Sequence, residues 1–339
     1  MKIYVNNEHA RYWIDFANLG ESTQDLTEWG GQSTQIAFID SQDGSYEFLK
    51  LSLKIADRAD LLFLFVMEFT DPVWYQEFDR PNVVLILNGM VNQKIKHAQV
   101  INYFSFFHET AAFYRSRPHY VNGLTSDNKK FFFDALLGRR KLHRDDVYHG
   151  ISHVKNIVTY FVTPNEDDIR DRSNQEFIWP TEILDKPTHP VCFTMQDLDI
   201  DGVTLSLSKI IPVDIYNQTH YSLVAETCVD NRWSFFTEKI AKPIIAGRMF
   251  LVAGGQYYLK NLRDLGFKTF SNVIDESYDN EPDSQTRVEM ILSQVKWLET
   301  QDPRKILQQI QHITAHNQQH IFNTEWQAPI RNLGLYLKN

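Results

Sequence analysis

The sequence predicts an α/β protein made of two open, mostly parallel sheets with crossover helices. Three observations carry that expectation. Short apolar runs alternate with amphipathic or loop segments through most of the chain, the pattern of strands joined by helices. Several runs, such as Leu61-Leu62-Phe63-Leu64-Phe65-Val66, are apolar without alternation, as strands covered on both faces are. At 339 residues the chain is long for one core and suits two domains.

In the first half the expected strands are 2–6, 34–40, 60–68, 82–88 and 100–107, with 47–57 and 108–116 as helical crossovers. A second series starts near Lys129, with strands expected at 131–137, 156–162, 221–226 and 249–253. Its helices are expected at 143–153, 238–246 and 257–265, and two long ones at 283–300 and 303–320 close the chain. Residues 164–200 are rich in Pro, Asp and Asn and read as a loop, followed by a hairpin-like stretch at 203–211. Pro, Gly, Ser and Asn in 117–128 mark a domain break. The expected division is therefore 1–125, 126–280, and C-terminal helices at 281–339 bracing both domains.

Composition fits a globular protein, with 43% hydrophobic and 23% charged residues. No apolar run approaches the roughly 20 residues of a membrane helix, and the N-terminus lacks the features of a signal peptide. A cytoplasmic protein that does not engage membranes is expected. Cys192 and Cys228 have no metal-type spacing and read as buried thiols in a reducing compartment. A net charge of −9 argues against coating nucleic acid through the overall field and leaves room for a local basic groove.

The most informative segment is Phe235-Phe236-Thr237-Glu238-Lys239, followed by Gly247-Arg248 and Gly254-Gly255. Thr237 suits an N-cap and Glu238 suits a first helical turn. Lys239 opposes the helix dipole there, a placement that makes sense where an anion sits at the helix start. A lysine pointing to solvent is the plainer alternative. Arg144, in Leu142-His143-Arg144-Asp145-Asp146, again puts a cation in a first turn. Its guanidinium suits phosphate, or a surface ion pair with the neighbouring acids.

The stretch Tyr221-Ser222-Leu223-Val224-Ala225-Glu226-Thr227, then Phe236-Thr237-Glu238-Lys239, then Ile244-Ile245-Ala246-Gly247 resembles the donor-site signature of the α-1,3-fucosyltransferase family. The region 137–144 is similar to the place where that family and the exostosin-like enzymes present an arginine to donor phosphates. The resemblance covers scattered motifs between 134 and 270. It implies a GT-B glycosyltransferase, two Rossmann-like domains facing across a cleft, with a nucleotide-diphosphate sugar gripped by the second domain. The implied cofactor-site residues are Arg144, Thr227, Phe235, Thr237, Glu238 and Lys239, with no metal. Thr227 stands where the family has Asn, and Phe235 where it has Tyr. Pro243 falls inside the expected helix, where proline costs about 3 kcal/mol.

Other motifs carry less. Asp197-x-Asp199-x-Asp201-Gly202 opens like a calcium loop, but its twelfth position is Ser208, and a polar turn is the expectation. His143-Arg144-Asp145 echoes a kinase loop, yet Gly150 stands where the metal-binding Asn belongs. Gly254-Gly255 alone is no dinucleotide fingerprint. His312, His316 and His320 lie on one helix face without an accompanying carboxylate pattern and read as a packed or exposed face.

The first domain is expected to supply the acceptor side and a general base. Acids at strand ends are the candidates: Glu109 and His108 after the run 100–107, Glu68 after 61–67, and Asp71 beyond it. Trp74, Tyr75 and Tyr114 are stacking or core aromatics. The expected reaction is an inverting, metal-independent sugar transfer to a hydroxyl. The acceptor is a glycan, or a hydroxymethylated base in DNA if the chain is phage-borne and works in host cytoplasm. The run 235–278 looks like stretches of phage-borne proteins. A non-catalytic α/β nucleotide- or glycan-binding protein is the competing expectation.

Overall fold

The computed structural model describes residues 3–6, 10, 17, 23–25, 34–40, 46–66, 76–122, 124, 129–139, 141–151, 153–154, 156–162, 176–178, 197–200 and 203–333. Glu68, Asp71, Trp74, Tyr75 and Cys192 lie outside the described residues. The chain forms two compact units, one of Met1–His108 with Glu325–Asn339 and one of Glu109–Thr324. The boundary between these units lies between His108 and Glu109, and the sequence break is expected at 117–128. Residues 117–128 look like a linker by composition, but a short helix, His119–Asn122, occupies part of them.

The first unit is a six-stranded sheet in which every pairing is parallel. Its elements are β1 (Ile3–Val5), β2 (Thr23–Asp25), β3 (Thr34–Asp40), α1 (Tyr46–Ala56), β4 (Ala59–Val66), β5 (Val83–Asn88), a two-residue β6 (Met90–Val91) and β7 (Gln99–Tyr103). The order β2-β1-β3-β4-β5-β7 reverses direction between β1 and β3, as in doubly wound sheets. Alternate residues supply the two cores. Ile3, Phe63, Phe65, Ile86 and Tyr103 pack on one face with Ile330 and Leu333 from the C-terminal segment. Leu62, Leu64, Leu85 and Leu87 pack on the other with Ile55 of α1. That two-sided burial is why β4 reads as an uninterrupted apolar run.

One strand boundary differs from expectation. β7 ends at Tyr103 and helix α2 (Ser105–Ser116) begins two residues later. Buried Asn88 causes the switch: its amide donates to Ser105 Oγ at 2.8 Å, and its Oδ1 accepts from Ser105 N at 3.2 Å. The phenylalanines that resemble a continuing strand become a helix face. Phe104 and Phe107 pack edge-on against Trp326, with ring centroids 5.7 and 5.2 Å away.

In chain order the second unit holds α3 (His119–Asn122), β8 (Phe131–Arg139), α4 (Leu142–Gly150), β9 (Asn156–Val162), β10 (Glu176–Ile178), β11 (Asp197–Ile200), β12 (Val203–Ser206) and α5 (Val213–Gln218). There follow β13 (Thr219–Ala225), β14 (Trp233–Ser234), α6 (Glu238–Ile245), β15 (Phe250–Ala253), α7 (Tyr258–Asp264), α8 (Ser284–Glu299) and α9 (Pro303–Asn323). The sheet order is β10-β9-β8-β13-β15, parallel except for the β10 edge. The two long helices α8 and α9 belong to this unit. β11 and β12 form an antiparallel hairpin in the stretch where a polar turn is expected.

From β8 the chain crosses through α4 to β9 on one side; from β13 it crosses through α6 to β15 on the other. Right-handed crossovers in opposite directions lie on opposite faces of a sheet. The carboxyl ends of β8 and β13 are therefore left open between them, the place where doubly wound sheets bind ligands.

Candidate functional site

β13 ends at Ala225, and the next residue, Glu226, is fully buried. Its carboxylate accepts four hydrogen bonds. Oε1 takes Thr237 N at 3.3 Å and the Tyr258 hydroxyl at 2.7 Å; Oε2 takes Thr227 N at 3.1 Å and the Thr237 hydroxyl at 2.7 Å. Glu226 thus ties the strand end to the start of α6 and to α7. Its backbone carbonyl ties in α4, accepting from His143 Nε2 at 2.9 Å and Arg144 Nη2 at 3.2 Å.

Burial, with the Arg144 charge beside it, pulls the His143 pKa down to about 4. The ring is neutral near pH 7, and since a carbonyl only accepts, the proton sits on Nε2. Lys141 completes this edge by donating to the Thr227 carbonyl at 2.7 Å.

Helix α6 starts as the sequence predicts. Thr237 is its N-cap in extended conformation, and its hydroxyl accepts from Lys239 N at 3.2 Å. Lys239 Nζ reaches back to Thr227 Oγ1 at 3.2 Å and pairs with Glu238 at 2.7 Å. Burial alone pushes the Glu238 carboxyl up; Lys239, Lys242 and the hydrogen bond from Lys239 outweigh it, leaving the pKa below its ordinary value. Pro243 lies inside the helix without ending it. The helix stops two turns in with a left-handed Gly247 (φ 63°). There Arg248 N donates to Pro243 O at 2.9 Å and Gly247 N to Ile244 O at 3.1 Å, the two bonds of a Schellman cap.

Six residues expected at the donor site are thereby located. Arg144, Thr227, Thr237, Glu238 and Lys239 converge on the end of β13. Phe235 does not join them: it is buried and stacks on Trp233, ring centroids 4.5 Å apart, supporting the loop from below. Arg144 is itself only 3% exposed and lies along the crevice floor against Glu226. Lys239, Thr227 and Lys141 are the half-buried polar groups of the set.

Gly254-Gly255 has a packing role. A Cβ on Gly255 would run into the backbone carbonyl of Asp230, and buried Arg287 fixes the same region by donating to Gly254 O at 2.9 Å and Val229 O at 3.3 Å. Gly255→Ala is expected to cost about 1–3 kcal/mol through overpacking, read as a lower urea midpoint with unchanged slope.

His108 and Glu109 fall in the second turn of α2, not at its opening, because the helix begins at Ser105. Glu109 belongs to the second unit, is exposed, and forms an ion pair with Lys209. The His108 ring contacts the Gln327 amide within the first unit. Tyr114 is buried, and its hydroxyl accepts from Ile211 N at 2.5 Å, a core role.

Among the described residues no group of three His, Cys, Asp or Glu is arranged to hold a metal. The histidine row packs against the end of α7: the His316 ring hydrogen-bonds Gly266 O at 2.9 Å, and the His320 ring Leu265 O at 2.7 Å. Cys228 is a half-buried free thiol whose pKa is raised by burial. Among the described residues, no helix is long and apolar enough to cross a membrane.

Two buried charges of this unit, Asp134 and Lys242, carry no sequence pattern. Asp134, central in β8, pairs with Arg248 at 2.7 Å. Lys242, one turn beyond Glu238 in α6, is buried. Comparison with protein-family models and with curated proteins found no match.

Proposed function

We propose that the protein is a nucleotide-sugar-dependent glycosyltransferase whose second unit grips the donor diphosphate. The first unit supplies the acceptor side, in the manner of a GT-B enzyme. One observation carries the reading. The cation-bearing start of α6, Thr227 and the start of α4 meet at the open carboxyl ends of β8 and β13, where a doubly wound sheet receives a ligand.

In this reading Lys239, Lys141 and Arg144 offset the charge that builds on the leaving diphosphate, and the positive end of the α6 dipole adds to them. The acceptor is a glycan hydroxyl or a hydroxymethylated base. Transfer needs no metal, because protein cations occupy that role.

The test is a thermal-shift panel of nucleotide sugars followed by turnover in excess chelator. A donor that stabilises the protein and is slowly hydrolysed supports an enzyme; stabilisation without hydrolysis identifies a binding protein. Lys239→Ala and Glu238→Ala are each expected to weaken that donor by about 1.5–3 kcal/mol, the worth of a charged hydrogen bond. Unchanged donor affinity in a folded Lys239→Ala protein would sink the assignment.

A further inference from the structure

Beside α6, on the sheet face that carries Asp134 and Ser222, lies a small pocket partly open to solvent. Lys239 and Lys242, one helical turn apart on α6, both line it, with Tyr216 of α5 and Leu136 of β8. Lys242 is 8% exposed, and its ammonium has no hydrogen bond or ion pair among the described residues. Its ammonium reaches the pocket and not a protein hydrogen-bond partner, and a charge on so buried a side chain is ordinarily paired or hydrogen-bonded.

The other charges nearby are already committed. Asp134 accepts from Arg248 at 2.7 Å, Thr219 at 2.9 Å and Ser222 at 3.0 Å. The Arg248 guanidinium lies 4.1 Å over the Tyr216 ring. Glu238 is paired with Lys239. The wall therefore presents one uncommitted ammonium, a second at i−3, and no uncommitted carboxylate among the lining residues.

We propose that this pocket is a phosphate subsite in which Lys242, together with Lys239, takes the oxygens of one phosphate group. The phosphate is either inorganic phosphate or the end of a nucleoside diphosphate lying across the carboxyl end of β13. The subsite stands on the pocket and its lysine and does not require sugar transfer. Burial draws the Lys242 pKa down to about 8, with Glu238 pulling it up and Lys239 pushing it further down. Its positive charge is present below that pH and lost as pH rises through it, so phosphate affinity declines above about pH 8.

Calorimetric titration at pH 7 of wild type, Lys242→Met and Lys242→Gln, with inorganic phosphate and separately with a nucleoside diphosphate, tests the proposal. Methionine keeps the shape and removes a buried charge, so Lys242→Met is expected to fold at least as stably as wild type. Both variants are expected to bind at least tenfold more weakly, and the weakening of wild type between pH 7 and pH 9 is expected to vanish in Lys242→Met. An effect on both probes places a free phosphate there as readily as a nucleotide; an effect on the diphosphate alone makes the nucleotide the source. Wild type that binds inorganic phosphate through Lys242 but no nucleotide leaves the subsite standing and removes the donor reading. Variants that bind both probes like wild type, or a wild type that binds neither, overturn it.

Discussion

Arg248→Met is expected to lower the unfolding free energy by about 3–5 kcal/mol, the cost of leaving one member of a buried ion pair alone. Arg248 is 6% exposed and Asp134 2%. The guanidinium donates to Asp134 at 2.7 Å, to the Thr219 hydroxyl at 2.8 Å, to Ser222 Oγ at 3.2 Å, and to the carbonyls of Tyr216 and Thr219 at 2.8 Å each. Ser222 stands opposite Asp134 in register and opposite Phe250 on its other side, so this cluster joins β8, β13 and β15. Removing Arg248 strands the Asp134 carboxylate, whose pKa burial already raises despite the pairing, and two backbone carbonyls lose their donor. Urea unfolding of Arg248→Met, Asp134→Leu and the double variant gives the coupling directly. The double variant is expected to be more stable than the Arg248 single variant, because no charge is left unpaired. A single variant within 1 kcal/mol of wild type would contradict the view that this pair organises the sheet.

How much of this was legible in the sequence depends on whether a signal is local. β4 and β5 are apolar on both faces and could be read directly, as could the start of α6, where Thr237 and Glu238 are the expected cap and first-turn residues. The end of β7 could not. Tyr103, Phe104, Phe106 and Phe107 fit a strand and an apolar helix face equally well, and the arbiter is Asn88, 17 residues upstream. Arg248 and Asp134 are 114 residues apart, with no shared period or motif to link them. Lys242 lines the same pocket as Lys239, with Tyr216 of α5 and residues 222–225 of β13, neighbours that no local pattern shows. Family resemblance marked Phe235 as a donor residue, yet a motif match records position in the chain, not which way a ring faces. The return of the last residues to the first unit, with Trp326 against Phe104, has no sequence signature beyond an aromatic near the end.

Glu226→Gln is expected to destabilise the second unit by about 2–4 kcal/mol and to weaken donor binding with it. The substitution preserves shape, so its effect isolates the hydrogen-bond pattern. Each carboxylate oxygen accepts one backbone N–H, Thr237 N on Oε1 and Thr227 N on Oε2. A glutamine amide has one accepting oxygen; its NH₂ only donates. Whichever way the amide is turned, the NH₂ faces a backbone N–H that cannot accept, and a buried donor is left without a partner at about 1–3 kcal/mol. The Tyr258 or Thr237 hydroxyl on that side must also turn its proton away. Because Thr237 caps α6 and Thr227 receives Lys239, the strain falls on the residues assigned to the donor. Tyr258→Phe removes one donor to Oε1 and leaves both backbone bonds, so it is expected to cost only about 1 kcal/mol. Urea unfolding ranks the two variants, and calorimetry with the donor found in the thermal-shift panel ranks their affinities. A Glu226→Gln protein as stable as Tyr258→Phe would show that the carboxylate does not organise the start of α6, and would remove Glu226 as the residue that positions the site.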